Sequence, residues 1–188
     1  VINSTIPVTK WNYQITDPKD VGWVMRKAFY VANSGRPGPV LIDITKDAQL
    51  AMVDFHYPEQ PPIRSYIPYN KPKVSQLEAA AALINGAKQP MILGGHGIHI
   101  AHGQAAFLEF VNKTGIPVGV TCHGLSTIPN SHPLFTGMLG MHGNYGPNFL
   151  QNEADVIIAI GMRFDDRVTG KLAGYIPDAQ GGHIEAVS

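Results

Sequence analysis

Two rhythms of apolar residues run along the chain. The first is a set of short, nearly continuous apolar runs: VLID at 40–43, MIL at 91–93, PVGVT at 117–121 and DVIIAIG at 155–161. Runs of this kind are typical of strands covered on both faces, as in parallel sheets. A last run, HIEA at 183–186, reads as one more strand. The second rhythm recurs every three or four residues. Asp17 followed by Pro18 opens a helix whose apolar face is Val21, Val24, Ala28, Val31 and Ala32, with Gly35 placed to end it. Ser75 and Glu78 form a capping-box pattern that opens a helix reaching about Ala87. Helical segments are also predicted from about Gly103 to Lys113 and over 147–153, with a loop from 122 to about Thr136 and a glycine-rich bend at 137–146. Strands alternating with helices give the fold class: α/β, with a parallel sheet covered on both faces.

Residues 52–72 break both rhythms. Five prolines (Pro58, Pro61, Pro62, Pro68 and Pro72) stand in this stretch, which reads as a linker. It separates the end of one α/β unit, residues 1–51, from a second α/β pattern over residues 73–188. Composition adds to this picture. Apolar residues make up 44% of the 188, enough for a sizeable core, while charged residues reach only 15% against a usual ~25%. A charge-poor chain with 20 glycines and 15 prolines fits a piece of a larger assembly. The opening Val1, without a methionine or a secretory pattern, reads as a cut or processing point. Fourteen basic and fourteen acidic residues cancel, which argues against nucleic-acid or anionic-membrane partners. The lone Cys122 cannot form an internal disulfide and favours a reducing, cytoplasmic compartment.

In an open parallel sheet, ligands bind beyond the carboxyl ends of the strands. The loops expected there are 94–97, 121–124, 137–146 and 161–167. Glycine is their shared feature, and it lets a ligand approach the backbone and bond to N–H groups. A dinucleotide fingerprint starting at Gly95 fails, because Ile100 occupies its third glycine position and no acidic residue follows the next strand. The RFDDR cluster at 163–167 reads either as a local ion-pair network or as an anion clamp built on two guanidinium groups. His96, His99 and His102 straddle a loop and a helix start, so no single face holds all three as a metal set. Cys122 beside His123 has the residue types of a nucleophile and base, but such partners meet through the fold and not as sequence neighbours.

Three strings carry a resemblance: SGRPGPVLIDITKDAQ (34–49), GMLGMHGNYGPN (137–148) and GMRFDDRVTGK (161–171). In this order they resemble the catalytic subunit of acetolactate synthase, also called acetohydroxyacid synthase, and the likeness runs from TKWN at 9–12 to about Gly174. The third string resembles the biosynthetic, FAD-containing type. The resemblance implies a Rossmann-like central FAD-binding domain, truncated at its C-terminal end, preceded by the tail of a thiamine pyrimidine-binding domain. It implies FAD contacts at Arg36 of the RPGPV turn, at Gly94, Gly95 and Gly97, and at Thr121, Cys122 and His123. Further FAD contacts are implied at Met141, His142 and Gly143 and at Gly161, Arg163 and Asp165. Lys46, Met141, Asp166 and Arg167 match residues around the substrate channel, with Arg167 meeting the second substrate's carboxylate.

The implied activity of the full-length enzyme is a thiamine-diphosphate- and Mg²⁺-dependent carboligation. Pyruvate is decarboxylated and its two-carbon unit is condensed with a second 2-keto acid, in branched-chain amino acid biosynthesis. The glutamate that activates thiamine and the GDG…N metal motif fall outside this sequence, so the chain holds no catalytic residue of its own, binds FAD weakly or not at all, and is inactive alone. A homodimer or homotetramer with a regulatory small subunit is the implied assembly. The competing readings are a flavin oxidoreductase of the pyruvate-oxidase type and a stand-alone, non-catalytic nucleotide-binding module.

Overall fold

The computed structural model describes residues 1–59, 63–64 and 71–176, together with the backbone of 183–186. The chain divides into two units, Val1–Asn70 and Lys71–Ser188. Among the described residues no helix is long and apolar enough to cross a membrane.

The first unit runs from a short helix α1 (Ile2–Thr5) to strand β1 (Trp11–Ile15), helix α2 (Val21–Asn33), strand β2 (Val40–Ile44) and helix α3 (Lys46–Leu50). Strands β1 and β2 pair in parallel from Trp11↔Val40 to Ile15↔Ile44. Neither β1 nor α3 is anticipated by the sequence patterns above. In WNYQI the apolar side chains alternate with polar ones, so no continuous run marks the strand. Trp11 and Tyr13 stack at 5.7 Å, and Trp23 of α2 meets Tyr13 edge-on at 5.1 Å. Asp20 ties this face together by accepting from Trp23 Nε1 at 2.8 Å and from the Tyr13 hydroxyl at 3.4 Å. Two expectations need correction here. Asp17 caps a single 3-10 turn, Pro18–Asp20, and α2 proper starts only at Val21. The VLID run is half-buried throughout and not covered on both faces, because the described sheet of this unit has only two strands. Residues 51–59 carry no regular structure, and the Glu59 carbonyl accepts from Arg26 Nη2 at 2.7 Å. The rest of the expected linker includes 60–62 and 65–70, which lie outside the described residues.

The second unit is a five-stranded, wholly parallel sheet in the order β5-β4-β3-β6-β7. Its strands are β3 (Pro90–Gly94), β4 (Val118–Val120), β5 (Phe135–Met138), β6 (Val156–Ile160) and β7 (His183–Ala186). Helices α4 (Val74–Gly86), α5 (Gly97–Ile100), α6 (Gln104–Thr114), α7 (Tyr145–Glu153) and α8 (Asp166–Thr169) intervene. Alternate residues of the central strands feed two cores. Ile92, Val118, Val120, Val156 and Ile158 pack with Phe107 and Val111 of α6. Met91, Leu93, Ile157 and Ala159 pack with Leu139, Ala154 and Met162 on the other face. The chain starts at the central strand, runs outward through β4 to β5, then returns to the other side of β3 as β6. This is the doubly wound order of Rossmann folds, with its switch point between β3 and β6.

Here too the structure departs from the sequence reading in places. Ser75 lies inside α4, and the helix is instead entered from Lys73, whose N–H donates to Gln76 Oε1 at 3.3 Å. The loop expected to reach Thr136 ends earlier, because β5 begins at Phe135. A four-residue strand containing Gly137 gives too little pattern to read.

Candidate functional site

All four glycine-bearing loops lie at the carboxyl ends of β3, β4, β5 and β6, on one edge of the sheet. At the switch point the loops after β3 and β6 pack backbone against backbone. Gly95 N–H donates to Ile160 O at 2.9 Å and Gly97 N–H to Gly161 O at 2.7 Å. A Cβ on Gly97 would stand 2.6 Å from Gly161 Cα, and one on Gly95 would meet the Gly161 carbonyl and Met162. Gly161 itself has φ +64. This corrects one expectation: the N–H groups of Gly95 and Gly97 are committed to the protein and are not free for a phosphate. What the glycines permit is direct contact between the backbones of the two loops.

The loop after β4 packs on the backbone at the end of β3. Thr121 N–H donates to Gly94 O at 2.9 Å, and Thr121 Oγ1 accepts from Gly124 N–H at 3.1 Å. Cys122 and His123 project from it exposed, and the His96 and His123 rings lie 5.8 Å apart. Among the described residues no three metal-binding side chains come together.

The bend after β5 is held by two asparagines that sequence reading missed. Asn144 Oδ1 accepts from Met138 N–H at 3.0 Å, and its own N–H donates to Met138 O at 2.7 Å. Asn148 Oδ1 accepts from Gly140 N–H at 2.8 Å while its Nδ2 donates to Gly140 O at 2.9 Å. In a glycine-rich string, asparagine reads only as a turn former; its pairing with one backbone unit becomes visible only in the fold. Gly140, at φ +100, lets the bend touch α8, where Met141 N–H donates to Arg167 O at 2.8 Å. Met141, Asp166 and Arg167 therefore come together, with Met141 63% exposed. His142 is exposed and Gly143 half-buried beside them.

The RFDDR segment divides its labour. Asp165 caps α8 by accepting from the N–H groups of Arg167 and Val168, both at 3.2 Å, and pairs with Arg163 Nε at 3.4 Å. Arg167 Nε and Asp166 are only 4.0 Å apart at the limit of an ion pair, with side chains 72% and 84% exposed. The network reading thus fits Asp165, and the open guanidinium fits Arg167. Arg36 and Lys46 lie in the first unit, exposed in the turn before β2 and at the start of α3.

Residues 77–186 match the family model described as thiamine pyrophosphate enzyme, central domain. The chain is similar to the acetolactate synthase large subunit of Corynebacterium glutamicum, 43% identical over 181 residues that cover 96% of this chain and 29% of that one. It is similar to the isozyme 1 large subunit of Escherichia coli, 39% identical over 181 residues, 96% of this chain and 32% of that one. A crystal structure from Mycobacterium smegmatis, described as a thiamin diphosphate-dependent enzyme, superposes with a TM-score of 0.74 at 26% identity, covering 98% of this chain and 34% of that one. The chain thus spans about a third of the length of these relatives. With the match running over most of the doubly wound unit and all four of its glycine loops, this chain belongs to the thiamine pyrophosphate enzyme family and carries its central domain.

Proposed function

We propose that this chain is the part of an acetolactate synthase large subunit that holds FAD and contributes to the second-substrate site. The observation that carries this reading is the docking of the Arg167 backbone on the bend after β5, which gathers Met141, Asp166 and an open guanidinium at one carboxyl end. A planar guanidinium can hold a 2-keto acid carboxylate through two parallel hydrogen bonds. The protein that carries this chain would decarboxylate pyruvate with thiamine diphosphate and Mg²⁺ and join the two-carbon unit to a second 2-keto acid, the step that opens branched-chain amino acid synthesis. In this reading the chain by itself forms no acetolactate, because its sequence holds no GDG string for the thiamine diphosphate metal.

The residues present fit FAD. The glycine loops after β3 and β6 meet at the switch point of the doubly wound sheet, the place where such sheets bind dinucleotides. Arg163, 70% exposed despite its pairing with Asp165, would meet the diphosphate, since the Gly95 and Gly97 N–H groups are engaged. His96, Cys122 and His123 would line the same edge. When bound, FAD supplies a flat ring system and a diphosphate, and its task here is architectural.

Arg167→Ala in the intact protein tests the substrate half of the proposal. Losing a charge-assisted contact of ~1.5–3 kcal/mol lowers kcat/KM for carboligation at least roughly tenfold, while decarboxylation of pyruvate suffers less. The melting temperature stays put, because an exposed pair at 4.0 Å adds little. Unchanged carboligation by a folded variant overturns the role.

A further inference from the structure

Two carbonyls of the loop after β4 are held by imidazoles that follow β3. His96 Nδ1 lies 3.1 Å from His123 O, and His99 Nε2 lies 2.9 Å from Leu125 O. A carbonyl oxygen only accepts, so the proton sits on Nδ1 of His96 and on Nε2 of His99. The remaining His99 nitrogen, Nδ1, lies 2.9 Å from Gln104 Nε2 and accepts from it. Two histidines thus use opposite ring nitrogens to hold two carbonyls of one loop. The loop's own ties are the Thr121–Gly124 bonds and the Thr127 hydroxyl, which donates to Gly124 O at 2.8 Å. Gly124 rests on the Gly94 carbonyl so closely that no Cβ would fit.

We propose that His96 and His99 are positioning residues, a two-point clamp that fixes segment 122–125 over the end of β3 and so sets how tightly the switch-point crevice holds a dinucleotide. The link to a dinucleotide rests on the FAD reading above; the clamp itself does not.

The opposite ring nitrogens supply the test. An asparagine amide nitrogen stands about where Nδ1 stands, and a glutamine amide nitrogen about where Nε2 stands. His96→Asn and His99→Gln therefore keep their carbonyl partners, whereas His96→Gln and His99→Asn lose them. Amide hydrogen exchange over 121–126 and the alkylation rate of exposed Cys122 read the loop in the intact, flavin-free protein, and flavin fluorescence reads the Kd for FAD. Losing one hydrogen bond speeds exchange and alkylation by about two- to tenfold and weakens FAD by a similar factor, with the preferred amide inverted between the two positions. If both substitutions at each position behave alike, or all four leave exchange unchanged, the clamp is refuted. The inverted exchange pattern with one FAD affinity for all four variants refutes the positioning role. A parent protein that binds no FAD while the pattern holds refutes the flavin reading and supports the clamp.

Discussion

Gly95→Ala is the sharpest perturbation of the switch point. The added methyl has no space: it would meet the Gly161 carbonyl and both Cα and Cβ of Met162, and backbone cannot swing aside as a side-chain tip can. Forcing extra volume into a packed site costs ~1–3 kcal/mol. Separating the loops also stretches the bonds Gly95 N–H to Ile160 O and Gly97 N–H to Gly161 O, each contributing ~0.5–1.5 kcal/mol. Together the loss is about 2–6 kcal/mol, a large share of the ~5–15 kcal/mol that holds an ordinary domain. Gly86→Ala is the counterpart. A Cβ there meets nothing within 4 Å, and the residue ends α4 in helical conformation, so alanine stabilises by ~0.4–1 kcal/mol. Thermal unfolding followed by far-ultraviolet circular dichroism measures both. At ~2–4 °C per kcal/mol for a chain of this size, Gly95→Ala drops by at least ~4 °C and Gly86→Ala rises by ~1–4 °C. A Gly95→Ala variant melting with the parent would refute the claim that these glycines exist for backbone contact.

Two further outcomes concern titration. Asp155 accepts from the N–H groups of Lys88 at 2.6 Å and Gln89 at 2.9 Å, and these bonds, the Lys88 one foremost, hold its carboxyl below the usual range. Its contribution is therefore present above the unfolded value near pH ~4 and lost as pH falls through the lower folded one; Asp155→Asn should melt earlier than the parent at neutral pH, with the gap closing in acid. Burial pushes the Tyr175 phenol up to about 12, so its contribution is full below pH ~10 and lost as pH rises through the folded value. A phenolate absorbance titration of the folded protein should contain a group near 12 that is missing from the titration of Tyr175→Phe.

How much of this was legible depends on how local each cause is. The continuous runs at 91–93 and 155–161 mark β3 and β6 because strands buried on both faces need apolar residues at every position, a property of the segment alone. Their parallel pairing then dictates which edge carries ligands, so the four glycine loops could be named before their geometry was known. By contrast, β1 alternates polar and aromatic residues and β5 has four residues with a glycine inside, so neither carries a run of its own. The glycines mark the limit most clearly. From the sequence, Gly95 and Gly97 read as room for a phosphate, yet their N–H groups bond to Ile160 and Gly161, more than sixty positions away. A glycine's absence of a side chain is local, but what fills the vacancy is decided by whichever strand becomes its neighbour. The same holds for His96 and His99, which have no metal-like spacing and whose partners lie across the sheet edge in another loop. Residues whose role is to hold another loop in place carry no pattern of their own, and they come into view only when the doubly wound order brings β3, β4 and β6 side by side.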